Sequence, residues 1–344
     1  MEVEIRTHWN DILNTFPQDL KDIYFTQEYV KLYETESEKA VCLVCKEGQK
    51  VMLFPFLLRT FEIQGEICKD FETAYGYGGP VCNCEDEEFL TQALAALKDY
   101  CKVNGYVAGF VRFHPLFQNQ LRFETIGELL AERKTVSINL DQTVDEVWLN
   151  EIHSKNRNVI RKAGNAGCRF IVDEKYEYLE DFIRLYKATM DKLSADDFYY
   201  FDNIYYKHLA NGIPNSFLGC VENSDGKIIS AAIFMYSGPY GHYHLSGSDK
   251  DYLALSPNNF MLWNAAMELQ RRGVKYFHLG GGTNSDENNS LFLFKRRFSK
   301  DICEFYIGKL IFNEIAYEKI CEDWENRNPD KVEHYKHHLL KYKF

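Results

Sequence analysis

Ser256-Pro257-Asn258-Asn259-Phe260-Met261-Leu262-Trp263, then Gly273, a strand-like run at 274–279, Gly280-Gly281-Gly282 and Phe292-Leu293-Phe294-Lys295-Arg296-Arg297-Phe298 make up the stretch whose reading decides the fold. Ser256 is placed to cap a helix, and Pro257 takes its first position, where a missing N–H costs nothing. Gly273 ends that helix. Residues 274–279 read as a buried strand, the three glycines permit a sharp turn, and the last run sets cations beside aromatic rings. This order predicts an α/β arrangement and an anionic substrate.

Working outward, the same order of elements occurs earlier in the chain. Tyr75-Gly76-Tyr77-Gly78-Gly79-Pro80 leads into a helix over 87–103, Gly105 and a strand over 106–113, much as Ser246-Gly247-Ser248-Asp249, read as a turn, leads into the helix, Gly273 and strand of the later stretch. Further strand-like runs fall at 40–45, 51–58, 135–140, 168–172, 216–221, 228–236, 240–245 and 305–311, and helical periodicity marks 27–33, 145–162, 177–192, 203–211 and 314–324. Strands and helices therefore mix in both halves. The expected class is α/β (α+β), with a mixed central sheet flanked by helices in each of two similar domains, 1–133 and 134–344.

Composition agrees with a globular protein. The chain has 344 residues, 45% apolar and 15% aromatic, enough to bury two cores. No apolar run approaches the roughly 18–20 residues of a membrane-spanning helix, and residues 1–11 are polar rather than basic and then apolar, so a cytoplasmic location without a membrane span is expected. A net charge of −11 repels polyanions in bulk and argues against non-specific nucleic-acid binding, while leaving room for a local basic site. The ten cysteines sit mostly in apolar runs. Cys42 and Cys45 are spaced as a C-x-x-C, but Leu43 and Val44 between them are strand formers, so small core residues are expected there.

Chemistry points to the second domain. Residues 152–172 lack acids and hold Lys155, Arg157, Arg161, Lys162 and Arg169; Arg157 and Arg161 share a helix face, where an anion such as phosphate would relieve their mutual repulsion. A solvated basic face is the plainer reading. Lys295, framed by Phe294 and Phe298, is a desolvated cation suited to stabilising an oxyanion, or else an amphipathic-helix lysine that snorkels. His242 and His244 share a strand face, and with His278 they suit core packing or a general-base role better than a metal site, for which no H-E-x-x-H exists. Tyr199, Tyr200, Phe201, Tyr205 and Tyr206 form an aromatic patch able to stack on sugars or bases, or simply to pack. The glycines at 280–282 lack both nucleotide-loop spacings.

Taken together, the 75–80 turn, Arg112-Phe113-His114-Pro115, Arg157-Asn158-Val159-Ile160-Arg161-Lys162-Ala163, the helix start at Ser256, His278-Leu279-Gly280-Gly281-Gly282 and Phe294-Lys295-Arg296-Arg297-Phe298 resemble the Fem-like branch of the GNAT acyltransferases, from about residue 22 to 312. The resemblance implies two tandem GNAT-like domains and an N-acyltransferase that passes an acyl or aminoacyl group to an amine of a nucleotide-linked, peptidoglycan-type precursor. It places oxyanion stabilisation on Lys295 and acceptor phosphates on Arg157, Arg161 and Lys162. Tyr200 and His244 are expected to complete the acceptor site, and Ser256, Asn258, Asn259 and Gly281 the donor site. No tightly bound cofactor or metal is implied; the co-substrate is aminoacyl-tRNA or acyl-CoA. Two departures stand out: the helical arm of some members is missing, and residues 251–259 contain no glycine where coenzyme-A-dependent members turn around pyrophosphate. An acetyl-CoA-dependent N-acetyltransferase acting on an amino sugar or small amine, and a silent nucleotide-sugar-binding protein, are the other readings. Oligomeric state is open.

Overall fold

A computed structural model describes residues 1–63, 65–196 and 199–344. They fall into two units, Met1–Glu132 with Phe305–Phe344, and Arg133–Glu304. Along the chain lie β1 (Glu2–Arg6), α1 (Asn10–Leu13), α2 (Gln27–Lys31), β2 (Glu38–Glu47), β3 (Lys50–Ile63), β4 (Glu66–Glu72), β5 (Val81–Cys82), α3 (Glu87–Val103), β6 (Tyr106–Arg112) and β7 (Glu128–Asn139). Then come α4 (Val144–Glu146), a π-turn (Val147–Glu151), α5 (Ser154–Asn165), β8 (Arg169–Asp173), α6 (Leu179–Leu193), α7 (Asn203–Gly212), β9 (Ser216–Glu222), β10 (Ile228–Ser237) and β11 (Tyr240–Ser248). The chain finishes with α8 (Pro257–Arg271), β12 (Tyr276–Gly281), α9 (Ser290–Lys295), β13 (Asp301–Ile311), α10 (Glu314–Arg327) and α11 (Val332–Tyr335).

In the first unit the strands run β1-β2-β3-β4-β6-β13, with β5 beside β3. Asp86 caps α3 by accepting the Phe89 N–H at 2.9 Å. The helix buries Phe89, Ala93, Leu94, Leu97 and Cys101, a face set by the 3.6-residue period, against Cys45, Phe54 and Phe71. It ends before Gly105, whose φ of +76° glycine adopts without strain. Cys42 and Cys45 lie on β2 with no exposure, and burial pushes the Cys45 thiol up to about 12, so this C-x-x-C is inert packing. The first unit also takes back residues 305–344, correcting the expectation of a second domain running from 134 to the last residue. The cause is β13, which pairs antiparallel with β6 from Ile307/Arg112 to Ile311/Ala108, and Ile320, Leu339 and Leu340, which pack on Cys68 and Val107.

In the second unit the order is β7-β12-β11-β10-β9-β8. One side is covered by α8, whose Met261, Leu262, Ala265, Ala266 and Leu269 pack with Phe217, Phe234 and Phe277. Each unit thus contains a strand–helix–strand segment whose strands are parallel, β4-α3-β6 and β11-α8-β12. Two local expectations change. Residues 246–249, read as a turn, largely continue β11, because Ser246, Gly247 and Ser248 pair with Ala232, Ala231 and Ser230. The helix expected over 145–162 breaks at Ile152, whose extended backbone separates the π-turn from α5.

Candidate active site

The second unit's parallel strands are paired only at Tyr240/Tyr276, Gly241/Phe277 and His242/His278. Beyond that point each strand keeps only its outer neighbour: β11 pairs on with β10, and β12 with β7. A fork results. Both arms are irregular, with His244 and Leu245 facing Ile233 alone in a bulge on β11, and Gly280 in a bulge on β12 at a φ of +75°. Backbone polar groups turned into such an opening are available to an extended ligand, as at a sheet edge. The first unit's parallel pair stays closed instead. Thr73 N–H donates to the Phe110 carbonyl at 3.0 Å, Thr73 Oγ1 accepts the Arg112 N–H at 2.8 Å, and Gly78 bridges Phe113.

Lys295 meets the β12 arm of the fork. Asn289 starts α9 by accepting the N–H groups of Leu291 and Phe292, and the burial of Phe292 and Phe298 in the core carries Lys295 inside, leaving it 7% exposed. Its Nζ donates to the Gly281 carbonyl at 2.8 Å and lies 5.8 Å from the centre of the Tyr243 ring. Among the described residues no ion pair includes it. Burial first, and the Arg133 charge second, bring its ammonium down to about 7. Tyr243 donates to Ser246 Oγ, and burial pushes its hydroxyl up to about 12, so it is a neutral neighbour.

The fork's far end is held by side chains. Asn258 Oδ1 accepts from Ser230 Oγ and Ser248 Oγ, both at 2.6 Å, tying the start of α8 to β10 and β11. Asn259 Nδ2 donates to Asn156 Oδ1 at 3.2 Å. Ser256 departs from its expected role. It has a φ of +54° and its side chain caps nothing, because a capping hydroxyl needs an extended backbone. Its carbonyl instead accepts from Asn259 and Phe260 at 3.1 and 3.3 Å.

Of the expected acceptor residues, His244 hydrogen-bonds the Tyr205 hydroxyl at 3.0 Å, and burial holds its imidazole at about 3, neutral at working pH. Tyr200 is exposed and donates to Asp191 at 3.0 Å. Arg157 meets the carbonyls of Trp148 and Leu149 at 3.3 and 3.2 Å and also that of Ile152, so it caps the π-turn from within the chain. Arg161 is exposed, 5.2 Å over the Trp148 ring, and Lys162 is exposed beside it. The two arginines therefore separate in a test: Arg157→Ala should cost roughly 1–2 kcal/mol of stability, read by urea unfolding, whereas Arg161→Ala should stay within about 0.5 kcal/mol. Equal losses would contradict this division. Arg133, Tyr243 and the serines that hold Asn258 escaped the sequence reading, since only the folded register brings them to the fork.

Residues 152–289, all in the second unit, match the acetyltransferase (GNAT) domain family. The crystal structure of FemX is similar at a TM-score of 0.72 and 15% identity, over 93% of this chain and 100% of that one. A C-terminal domain assigned to a lysylphosphatidylglycerol synthetase of Agrobacterium fabrum follows at 0.55 and 14%, over 90% and 92%. A conserved protein of unknown function from Bacteroides thetaiotaomicron aligns at 0.55 and 12%, over 90% and 100%. At these identities the likeness is one of fold. No curated protein sequence matches the chain.

Proposed function

We propose that this GNAT acyltransferase, Fem-like in fold, transfers an acyl or aminoacyl group to an amine of a nucleotide-linked cell-envelope precursor. The observation that carries the reading is an open fork with a buried amine against its β12 arm. A donor lying along β11 would bring its carbonyl to Lys295. The acceptor amine attacks the carbonyl carbon, the new C–N bond forms, and the carbonyl electron pair moves to oxygen, where the Lys295 ammonium stabilises it in place of the Gly281 carbonyl it now meets. Collapse of the tetrahedral intermediate breaks the bond to the leaving oxygen or sulfur, which departs with the proton the amine releases. Arg161 and Lys162 would meet acceptor phosphates, with Tyr200 and His244 lining the acceptor side and Ser256, Asn258, Asn259 and Gly281 the donor side.

Acyl-CoA is the donor of GNAT acyltransferases as a class. Several features of the α8 start favour an aminoacyl ester here. Pro257 has no N–H, and the Asn259 and Phe260 N–H groups are taken by the Ser256 carbonyl. Calorimetric titration is expected to show coenzyme A binding no tighter than about 0.1 mM, a level worth roughly 5.5 kcal/mol. The assay that tests the function offers aminoacyl-tRNA and acetyl-CoA in parallel with nucleotide-linked muropeptides and simple amines, with products read by mass spectrometry. Transfer from acetyl-CoA alone would replace the aminoacyl reading. Binding without turnover from either donor would make the chain a silent binder.

The loss of the Lys295 proton also sets a pH dependence. Turnover that needs the ammonium should fall as pH rises through about 7. An activity that climbs without a break to pH 9 would remove the ammonium from the mechanism.

A further inference from the structure

We propose that Arg133 is a positioning residue for the Lys295 amine, acting through the Gly281-Gly282 turn of β12. This rests on the role of Lys295 given above. Arg133 Nη1 donates to the Gly282 carbonyl at 3.1 Å, one peptide beyond the carbonyl that receives Lys295 Nζ at 2.8 Å. The turn lies directly on β7: Gly281 pairs with Thr135, and a Cβ on Gly281 would stand 2.6 Å from the Lys134 carbonyl and 3.3 Å from Arg133 Cδ. Only glycine allows that approach. Lys134 pairs with Glu287, farther along the loop that follows, at 2.6 Å. Of these two neighbouring cations of β7, Arg133 is the one that meets the peptide next to the amine's acceptor.

Arg133 also supplies charge. Its guanidinium is the neighbouring charge that, after burial, disfavours the Lys295 ammonium. Tyr243 on β11, whose ring lies near the amine, is a neutral phenol, and Lys134, beside Arg133 in sequence, is paired with Glu287. Arg296 and Arg297, just past α9, are exposed. Removing the Arg133 charge should thus favour the protonated amine, while removing its hydrogen bond should release the Gly282 carbonyl. Glutamine separates the two effects, because it keeps a donor and drops the charge.

The decisive experiment measures Lys295 directly, by competitive labelling of the full chain with acetic anhydride across pH 5–10 and mass spectrometry of the peptide carrying residue 295. Arg133→Gln should raise the midpoint of Lys295 labelling by half a pH unit or more, equal to about a threefold slower labelling below the midpoint. The falling limb of kcat/KM should move up with it. Arg133→Ala should move the limb likewise and lower kcat by a further factor of about 10, the effect of a misplaced reacting group, while Arg133→Lys should restore the midpoint. A midpoint and pH limb unmoved in Arg133→Gln overturn the proposal, whatever happens to kcat. If instead the labelling shift appears and Lys295→Ala retains full turnover, Arg133 tunes the amine as stated and the role of Lys295 is what fails.

Discussion

Lys295→Met is expected to reduce turnover by roughly 10²-fold or more and at the same time to stabilise the fold near neutral pH. The buried amine falls from an ordinary value of 10.5 to about 7, so the unfolded chain holds this proton more tightly than the folded one. Between those values the unfolded state binds more protons, and stability rises with pH. The cost is therefore fully present below pH 7 and is relieved as pH climbs toward 10.5. At about 1.4 kcal/mol per pH unit it amounts to a few kcal/mol. Methionine fills a similar volume without charge and should recover most of that at pH 6, with the gain over the parent shrinking toward pH 10. Urea unfolding at both pH values, alongside the transfer assay, reads the result. A methionine variant less stable than the parent at pH 6 would mean that the amine is better accommodated than its surroundings imply. One that is stable and fully active would remove Lys295 from catalysis.

Gly247→Ala should be the most damaging small change in the second unit. A Cβ at Gly247 would stand 2.3 Å from the Leu185 carbonyl carbon and 2.4 Å from the Tyr186 nitrogen, both main-chain atoms of α6. No side-chain rotation relieves such an overlap. Either α6 lifts from the sheet or β11 bends into the fork, at a cost on the order of 3 kcal/mol. Thermal unfolding and donor binding should both suffer, since β11 is one arm of the fork. Gly48→Ala is the useful contrast. It sits in the left-handed region, with a φ of +60° and nothing near its Cβ position, and should lose only about 1 kcal/mol. A wild-type melting curve for Gly247→Ala would show that α6 yields more easily than its packing suggests.

Much of this architecture is legible in local signals, and the exceptions have physical causes. Residues 87–103 read as α3 because Asp86, the apolar spacing and Gly105 all agree. The Lys295 frame is visible because Phe294 and Phe298 lie close in sequence. By contrast β4 was hidden by its charges: Asp70 is 1% exposed, tolerated only because Arg59 on β3 donates to it from Nε at 2.9 Å. The break at Ile152 depends on Arg157 folding back onto carbonyls that periodicity cannot foresee. The fork itself is a missing pairing, set by which strands flank β11 and β12, and Arg133 reaches Gly282 across 149 positions of sequence. The basic helix was the most ambiguous of the signals. Arg157 proved to be a cap, while Arg161 and Lys162 keep the exposure that an anion would need.

The return of residues 305–344 to the first unit bears on how the chain folds as it leaves the ribosome. All of Arg133–Glu304 has been synthesised while the first unit still lacks β13, α10 and the apolar residues Leu339 and Leu340. Until they arrive, β6 has an edge without its β13 partner and Val107 is left partly uncovered. Domains usually mature from the N-terminus onward during synthesis. Here the order should reverse, with the later-encoded unit, which carries the fork, becoming protease-resistant on the ribosome first. The earlier-encoded unit would remain the aggregation-prone partner until residues 305–344 have emerged. Pulse proteolysis of arrested nascent chains, stalled so that residue 304 or residue 344 has just cleared the exit tunnel, would reveal that inverted schedule.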